Sequence, residues 1–204
     1  MEKRVTFENE PDYRRFIELL YLSNTFGSIQ RSTLSRFARK DIFNIPRRDP
    51  LVSIGAFCLM PNHFHVLLKT DHEDGITRFM RKLMTAYTMY FNMNRARTGN
   101  LFMKPFRSLH VDDDRYFQHV IQYIHSNPAE LYEPGWKQGV VDDLDSLIQR
   151  LITYPYSSFG AFVEKADVRE IIDPAVFNAY RDVEPEKMVR EAAEYYAELP
   201  KVSP

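Results

Sequence analysis

The chain has a single cysteine, Cys58, in 204 residues, which excludes a disulfide framework and any zinc site built from paired cysteines. No apolar run approaches the roughly 18 residues that a membrane-spanning helix needs. The first ten residues, MEKRVTFENE, carry neither an apolar signal region nor a cleavage site, so the expectation is a cytoplasmic protein with no membrane partner. Internal repeats and low-complexity tracts are absent. Net charge is also nearly absent: the formal value is −1, which argues against a protein that coats polyanions indiscriminately.

What is present is a normal core and a segregated charge pattern. With 44% hydrophobic and 14% aromatic residues, the chain can bury one core of ordinary size. The expected organisation is a domain over 1–160 followed by an acidic helical tail over 161–204. From Ile76 to His110 there are seven basic residues (Arg78, Arg81, Lys82, Arg95, Arg97, Lys104, Arg107) and no acidic one. From Glu164 to Glu198 ten acidic residues face five basic ones. Such runs are commonly solvated faces, and alone they do not define a partner.

Periodicity gives an alternation of helices and strands. Asp12–Leu22 reads as an amphipathic helix after Pro11. Residues 51–59, LVSIGAFCL, are apolar on both alternating faces, as in a strand inside a sheet. Met60-Pro61-Asn62 turns the chain, and His63–Lys69 returns as a second strand. Ile76–Arg97 is expected to be a long helix that Gly99-Asn100 ends. Residues 101–111, LFMKPFRSLHV, read as a strand interrupted by Pro105, hence at an edge or bulged. A helix over 113–126 opens with acids and stops before Pro128. A short helix around Asp142–Leu151, a turn at 154–159 and a polar helical tail follow.

Two stretches carry chemistry. Side chains alternate on a strand, so His63, His65 and Leu67 share one face while Phe64, Val66 and Leu68, on the other, are expected to pack. A pair of imidazoles can bind a divalent cation, but two ligands make a weak site, and the pair could equally be polar residues on a strand rim. On the 113–126 helix, Phe117, Val120, Ile121 and Ile124 form one stripe, with Tyr116, Tyr123 and Asn127 about 100° away from it. Tyr123 and Asn127 stand one turn apart and point the same way. A phenol beside an amide oxygen suits attack on a cation-held phosphate. Equally, Asn127 is a helix C-terminal residue and Tyr123 is one of twelve tyrosines. His119 and His125 read as surface residues of the same helix.

These residues carry a specific resemblance. Met60-Pro61-Asn62-His63-Phe64-His65 resembles the histidine-hydrophobic-histidine (HUH) motif of the single-tyrosine transposases, the IS200-like family. Tyr123-Ile124-His125-Ser126-Asn127-Pro128 resembles the Y-I-x-x-N-P signature of their REP-associated branch. Tyr154-Pro155-Tyr156-Ser157-Ser158 resembles its Y-P-W-S-S box, with tyrosine for tryptophan. The resemblance implies an α+β, ferredoxin-like antiparallel sheet with packed helices. It also implies a Mg²⁺- or Mn²⁺-dependent site from His63, His65 and Asn127, with Tyr123 as nucleophile. The implied activity is cleavage and rejoining of single-stranded DNA near hairpins through a 5′-phosphotyrosine, by a monomer or a homodimer.

DNA contacts are expected from Lys104 and Arg107, near the site, and from Arg78, Arg81 and Lys82 on the long helix, because cations on phosphates position a strand without reading it. A second basic cluster, Arg31, Arg36, Arg39, Lys40, Arg47 and Arg48, could grip a hairpin stem or be a solvated loop. One departure from the family pattern is the absence of its usual first strand, which lies mid-sheet and ends near Asn-Arg-Gly. Arg4–Phe7 would then serve as a stub, a partner would supply a strand, or the frame would continue upstream. Two alternatives follow: a hairpin-binding protein or repressor that has lost cleavage, and a metal-dependent nuclease or phosphatase that uses water and needs no Tyr123.

Overall fold

A computed structural model of the chain describes residues 4–27, 39–47, 49–103, 105–163, 170–178 and 184–198. Among these the fold is α+β, with one two-stranded sheet and seven helices. The chain forms two compact units, one of Met1–Ile54, Pro61–His63 and Leu68–Leu109, the other of Gly55–Met60, Phe64–Leu67 and His110–Pro204.

In the first unit, helix α1 (Glu10–Leu22) starts two residues earlier than periodicity predicts, because the Asn9 side chain accepts the Asp12 N–H and caps it. Its partner is α2 (Gly75–Asn94). The interface is aromatic: Phe16 meets Tyr87 edge-on at 5.1 Å, and Phe7 meets Phe16 at 5.2 Å. Polar anchors fix the same interface. Asp12 is 1% exposed, yet its carboxylate accepts Arg95 Nη2 at 2.5 Å, Tyr90 Oη at 3.2 Å and the Glu8 N–H at 3.0 Å. The Asn24 amide serves both backbone groups of Val52, at 2.7 and 3.0 Å, tying the end of α1 to the chain entering the sheet.

The sheet is a hairpin of β1 (Ser53–Met60) and β2 (His63–Lys69), antiparallel because a two-residue turn, Pro61-Asn62, joins them. Strand β1 is buried from Ile54 to Met60, as a run apolar on both faces requires. Arg4–Phe7 does not form a stub strand. Instead the amides of Thr6 and Phe7 both donate to the Pro61 carbonyl, at 2.7 and 3.0 Å. Nor do the described residues of 101–111 form a strand. They run without regular structure, exposed at Met103, Arg107 and Leu109, since Pro105 offers no ladder donor there.

In the second unit, α3 (Asp114–Ser126) is capped by Asp113, whose side chain accepts the Tyr116 N–H. Helix α4 (Leu144–Thr153) is capped likewise by Asp143. A short α5 (Phe159–Phe162) and α6 (Pro174–Asn178) precede α7 (Pro185–Glu198). The core joins Ala56, Cys58 and Met60 of β1, Ile121 and Ile124 of α3, Leu147, Ile148 and Leu151 of α4, and Trp136. Met188, Val189 and Ala192 of α7 belong to it too, so the acidic helix is amphipathic and packs by its apolar stripe. Residues 156–158 lie antiparallel along β1, with Leu59 N donating to Tyr156 O and Ser158 N to Phe57 O, both at 2.9 Å. Among the described residues no helix is long and apolar enough to cross a membrane.

Candidate active site

Strand β2 carries the histidine pair, and its burial pattern reverses one expectation. Phe64, Val66 and Leu68 are only half-buried, whereas Leu67, on the histidine face, is buried in the second core with Ile121 and Ile124 of α3. The histidine face is therefore the one that α3 covers. A longer stripe would have been needed for periodicity alone to assign the faces of a seven-residue strand.

That packing brings His65 to Tyr123. The Tyr123 Oη lies 3.5 Å from His65 Nε2, and the rings meet edge to face with centroids 5.0 Å apart. This separation is long for a hydrogen bond but close enough for both groups to face one bound ligand. Tyr123 is 38% exposed, so its phenol is open to a ligand from solvent. Tyr116, two turns earlier, is half-buried.

His63 has a local partner of its own. Its Nδ1 stands 2.6 Å from Asn62 Oδ1. A carboxamide oxygen only accepts, so Nδ1 carries the proton and Nε2 is the basic nitrogen, which is the tautomer a metal ligand needs. The Pro-Asn turn thus orients the first histidine as well as reversing the chain.

Asn127 follows α3 as its C-cap, one turn beyond Tyr123, and is 2% exposed. Neither its Oδ1 nor its Nδ2 finds a hydrogen-bond partner among the described residues. Buried amides are almost always satisfied, so an orphaned one beside a candidate nucleophile fits a ligand role. An imidazole nitrogen such as that of His65 and an amide oxygen such as that of Asn127 are donor types that Mg²⁺ or Mn²⁺ accepts. No cluster of three His, Cys, Asp or Glu residues offers a competing site among the described residues.

His125, read from the sequence as a surface residue, is 1% exposed. Burial pushes its imidazole down to about 3, so the ring is neutral. Its Nε2 lies 2.9 Å from Ser158 Oγ, and its ring lies tilted against those of Phe159 and Phe162, with centroids 5.2 and 5.9 Å away. It departs from the expectation because α3 is packed on two sides and its turn at 122–126 is buried except for Tyr123. His119 is exposed. Burial also pushes the Cys58 thiol up, which leaves it protonated and inert.

The expected DNA contacts divide by their partners. Lys82 Nζ donates to the carbonyls of Thr25 and Gly27, and its ammonium is lowered by burial and by Arg78. Arg78 stacks over Phe26 at 4.6 Å and pairs with Asp74 at 3.6 Å. Both cations hold the chain after α1 against α2. Arg81 and Arg107 are exposed. Lys104, Arg31, Arg36 and Arg48 lie outside the described residues, as do the side chains of Arg39 and Lys40, while Arg47 covers the Tyr21 ring at 3.8 Å.

Comparison with known families places residues 31–127 in a match to the family described as transposase IS200-like. The matched span takes in β1, β2, α2 and α3, and ends on Asn127. No curated protein and no solved structure matches the chain.

Proposed function

Residues 31–127 match the transposase IS200-like family, and on that likeness we propose that the chain cleaves and rejoins single-stranded DNA through Tyr123. The observation that carries this reading is the 3.5 Å approach of Tyr123 Oη to His65 Nε2, with the phenol exposed on a rigid helix and the imidazole on a strand. A water-using nuclease would not need a tyrosine in that place.

On the family resemblance His63, His65 and Asn127 would hold a divalent cation, Mg²⁺ or Mn²⁺, whose chemistry is to polarise a phosphate oxygen and lower the cost of charge developing at phosphorus. The residues of this chain do the rest. Tyr123 supplies the attacking oxygen: the Oη–P bond forms, the P–O3′ bond breaks, the phenolic proton is lost and the 3′ oxygen leaves as a hydroxyl. The 5′-phosphotyrosine keeps the phosphodiester energy, so attack by another 3′-hydroxyl reverses the step and joins strands without an external energy source. A single strand is the substrate that the family resemblance favours. A hairpin beside the cleavage point is the partner that the family resemblance favours.

Phosphate contacts are assigned to Arg81 and Arg107, whose side chains are exposed. Arg78 and Lys82 act first on the fold. Incubation with a hairpin-bearing single-stranded oligonucleotide and Mg²⁺ or Mn²⁺, followed by a denaturing gel, tests the proposal. A covalent protein–DNA band supports it, and binding without any cleavage supports a hairpin-binding protein or repressor instead.

A further inference from the structure

We propose that His125 is a positioning residue, which through Ser158 pins the helix bearing Tyr123 to strand β1 and so sets the phenol against His65. This rests on the reading of Tyr123 as nucleophile. Nothing in the matched family span includes Ser158, which lies 31 residues beyond its end at 127.

The geometry is a single hydroxyl serving two elements. Phe57 N–H on β1 donates to Ser158 Oγ at 2.8 Å, and Ser158 N–H donates back to Phe57 O at 2.9 Å. Ser158 thus takes both backbone groups of one β1 residue, as a neighbouring strand would. The same Oγ lies 2.9 Å from His125 Nε2 on α3. In either neutral tautomer this bond holds, because the hydroxyl can donate to the ring or accept from it. Ser157 Oγ reaches Phe57 O at 3.3 Å, so that carbonyl keeps a donor whichever way the Ser158 hydroxyl turns.

Two features separate this from ordinary core packing. Gln122 Nε2 donates to Glu191 Oε2 of α7 at 2.6 Å, but the buried α3 side chains in the core shared with β1, Ile121 and Ile124, are apolar, and apolar attraction is non-directional. A hydrogen bond between buried groups is directional and costly to leave unmade. His125 also sits midway between Tyr123 and Asn127, two residues from each, so any rotation of α3 that breaks the bond carries both away from their present directions. A displacement of about 1 Å in such an arrangement can cost roughly a hundredfold in rate.

The test uses the full chain with His125→Leu, His125→Gln and Ser158→Ala. Glutamine places a polar atom near that of Nε2, leucine does not, and Ser158→Ala removes one oxygen while leaving the imidazole in place. The first readout needs no DNA: a nuclear Overhauser effect between the Tyr123 and His65 rings. It is expected in the unaltered protein and in His125→Gln, and should weaken or vanish in the other two. The second is the single-turnover rate of adduct formation on an oligonucleotide that the unaltered protein cleaves. That rate is expected to fall at least about tenfold in His125→Leu and Ser158→Ala. It should recover most of the way in His125→Gln, with oligonucleotide affinity unchanged throughout. If the ring proximity and the rate survive in folded His125→Leu and Ser158→Ala, or if glutamine restores neither, the proposal is overturned. Should His125→Leu not fold, Ser158→Ala decides. Should the unaltered protein form no adduct, the reading of Tyr123 fails while the ring proximity still judges the positioning role.

Discussion

Tyr123 and Asn127 stand one helical turn apart, yet the first is 38% exposed and the second 2%, with both amide atoms of Asn127 lacking a hydrogen-bond partner among the described residues. A buried, unsatisfied amide contributes nothing to folding that alanine would lose, apart from some packing. Asn127→Ala is therefore expected to change stability by less than about 1 kcal/mol while lowering cation-dependent cleavage about ten- to a hundredfold. Thermal melting and adduct formation on the same preparations check this. A large fall in melting temperature would make Asn127 a structural residue instead.

The histidine pair should behave differently from the DNA-gripping cations. His63→Ala and His65→Ala are expected to abolish cleavage while leaving oligonucleotide affinity nearly intact, because the imidazoles serve the scissile phosphate. Asn62→Ala should have a milder effect on cleavage, since it removes only the oxygen that orients His63 Nδ1 at 2.6 Å. Cleavage that proceeds in a chelator would remove the cation from the mechanism.

Arg81→Ala and Arg107→Ala should each weaken binding and flatten its dependence on salt, the slope falling by about 0.7 for each single-strand phosphate left without its cation. Lys82→Ala is expected to act mainly on stability, through the Thr25 and Gly27 carbonyls it caps. Binding isotherms across a salt series, paired with melting curves, separate the two groups.

His125 gives a pH dependence with a definite sign. Its imidazole titrates at about 3 when folded, against 6.5 for an ordinary histidine, so the neutral ring is the folded form. The stability tied to this ring is fully present above pH 6.5 and is lost progressively as pH falls toward 3. His125→Gln should melt at a temperature that falls less steeply over that window. Parallel slopes in the two proteins would mean that other groups govern acid unfolding.

The local geometry around the candidate site was legible in the sequence, for reasons that particular residues make clear. The His63-Phe64-His65 alternation and the Pro-Asn turn before it are local patterns, and β2 begins and ends where they place it. Tyr123 and Asn127 share a helix face by spacing alone. The covered side of β2 was not legible, because it depends on α3, which is more than forty residues away in sequence. The burial of His125 was hidden for the same reason: its partner Ser158 comes from a later segment, and a histidine between a tyrosine and an asparagine looks polar by composition. Residues 101–111 misled because alternation mimics a strand even where Pro105 and the lack of a pairing edge prevent one. Asp12 and Arg95, 83 residues apart, gave no signal before the fold joined them.

The central claim is that Tyr123, and no other tyrosine, becomes joined to DNA. Cleavage after Arg115 and Lys137 by trypsin releases one peptide that contains Tyr116, Tyr123 and Tyr132 together, so fragmentation of the nuclease-trimmed adduct by mass spectrometry can choose among them. The phosphonucleotide mass is expected on Tyr123, and it should disappear in Tyr123→Phe but not in Tyr116→Phe. A nucleotide mass on Tyr116 or Tyr132, or strand cleavage that continues at full rate in Tyr123→Phe, would contradict the claim.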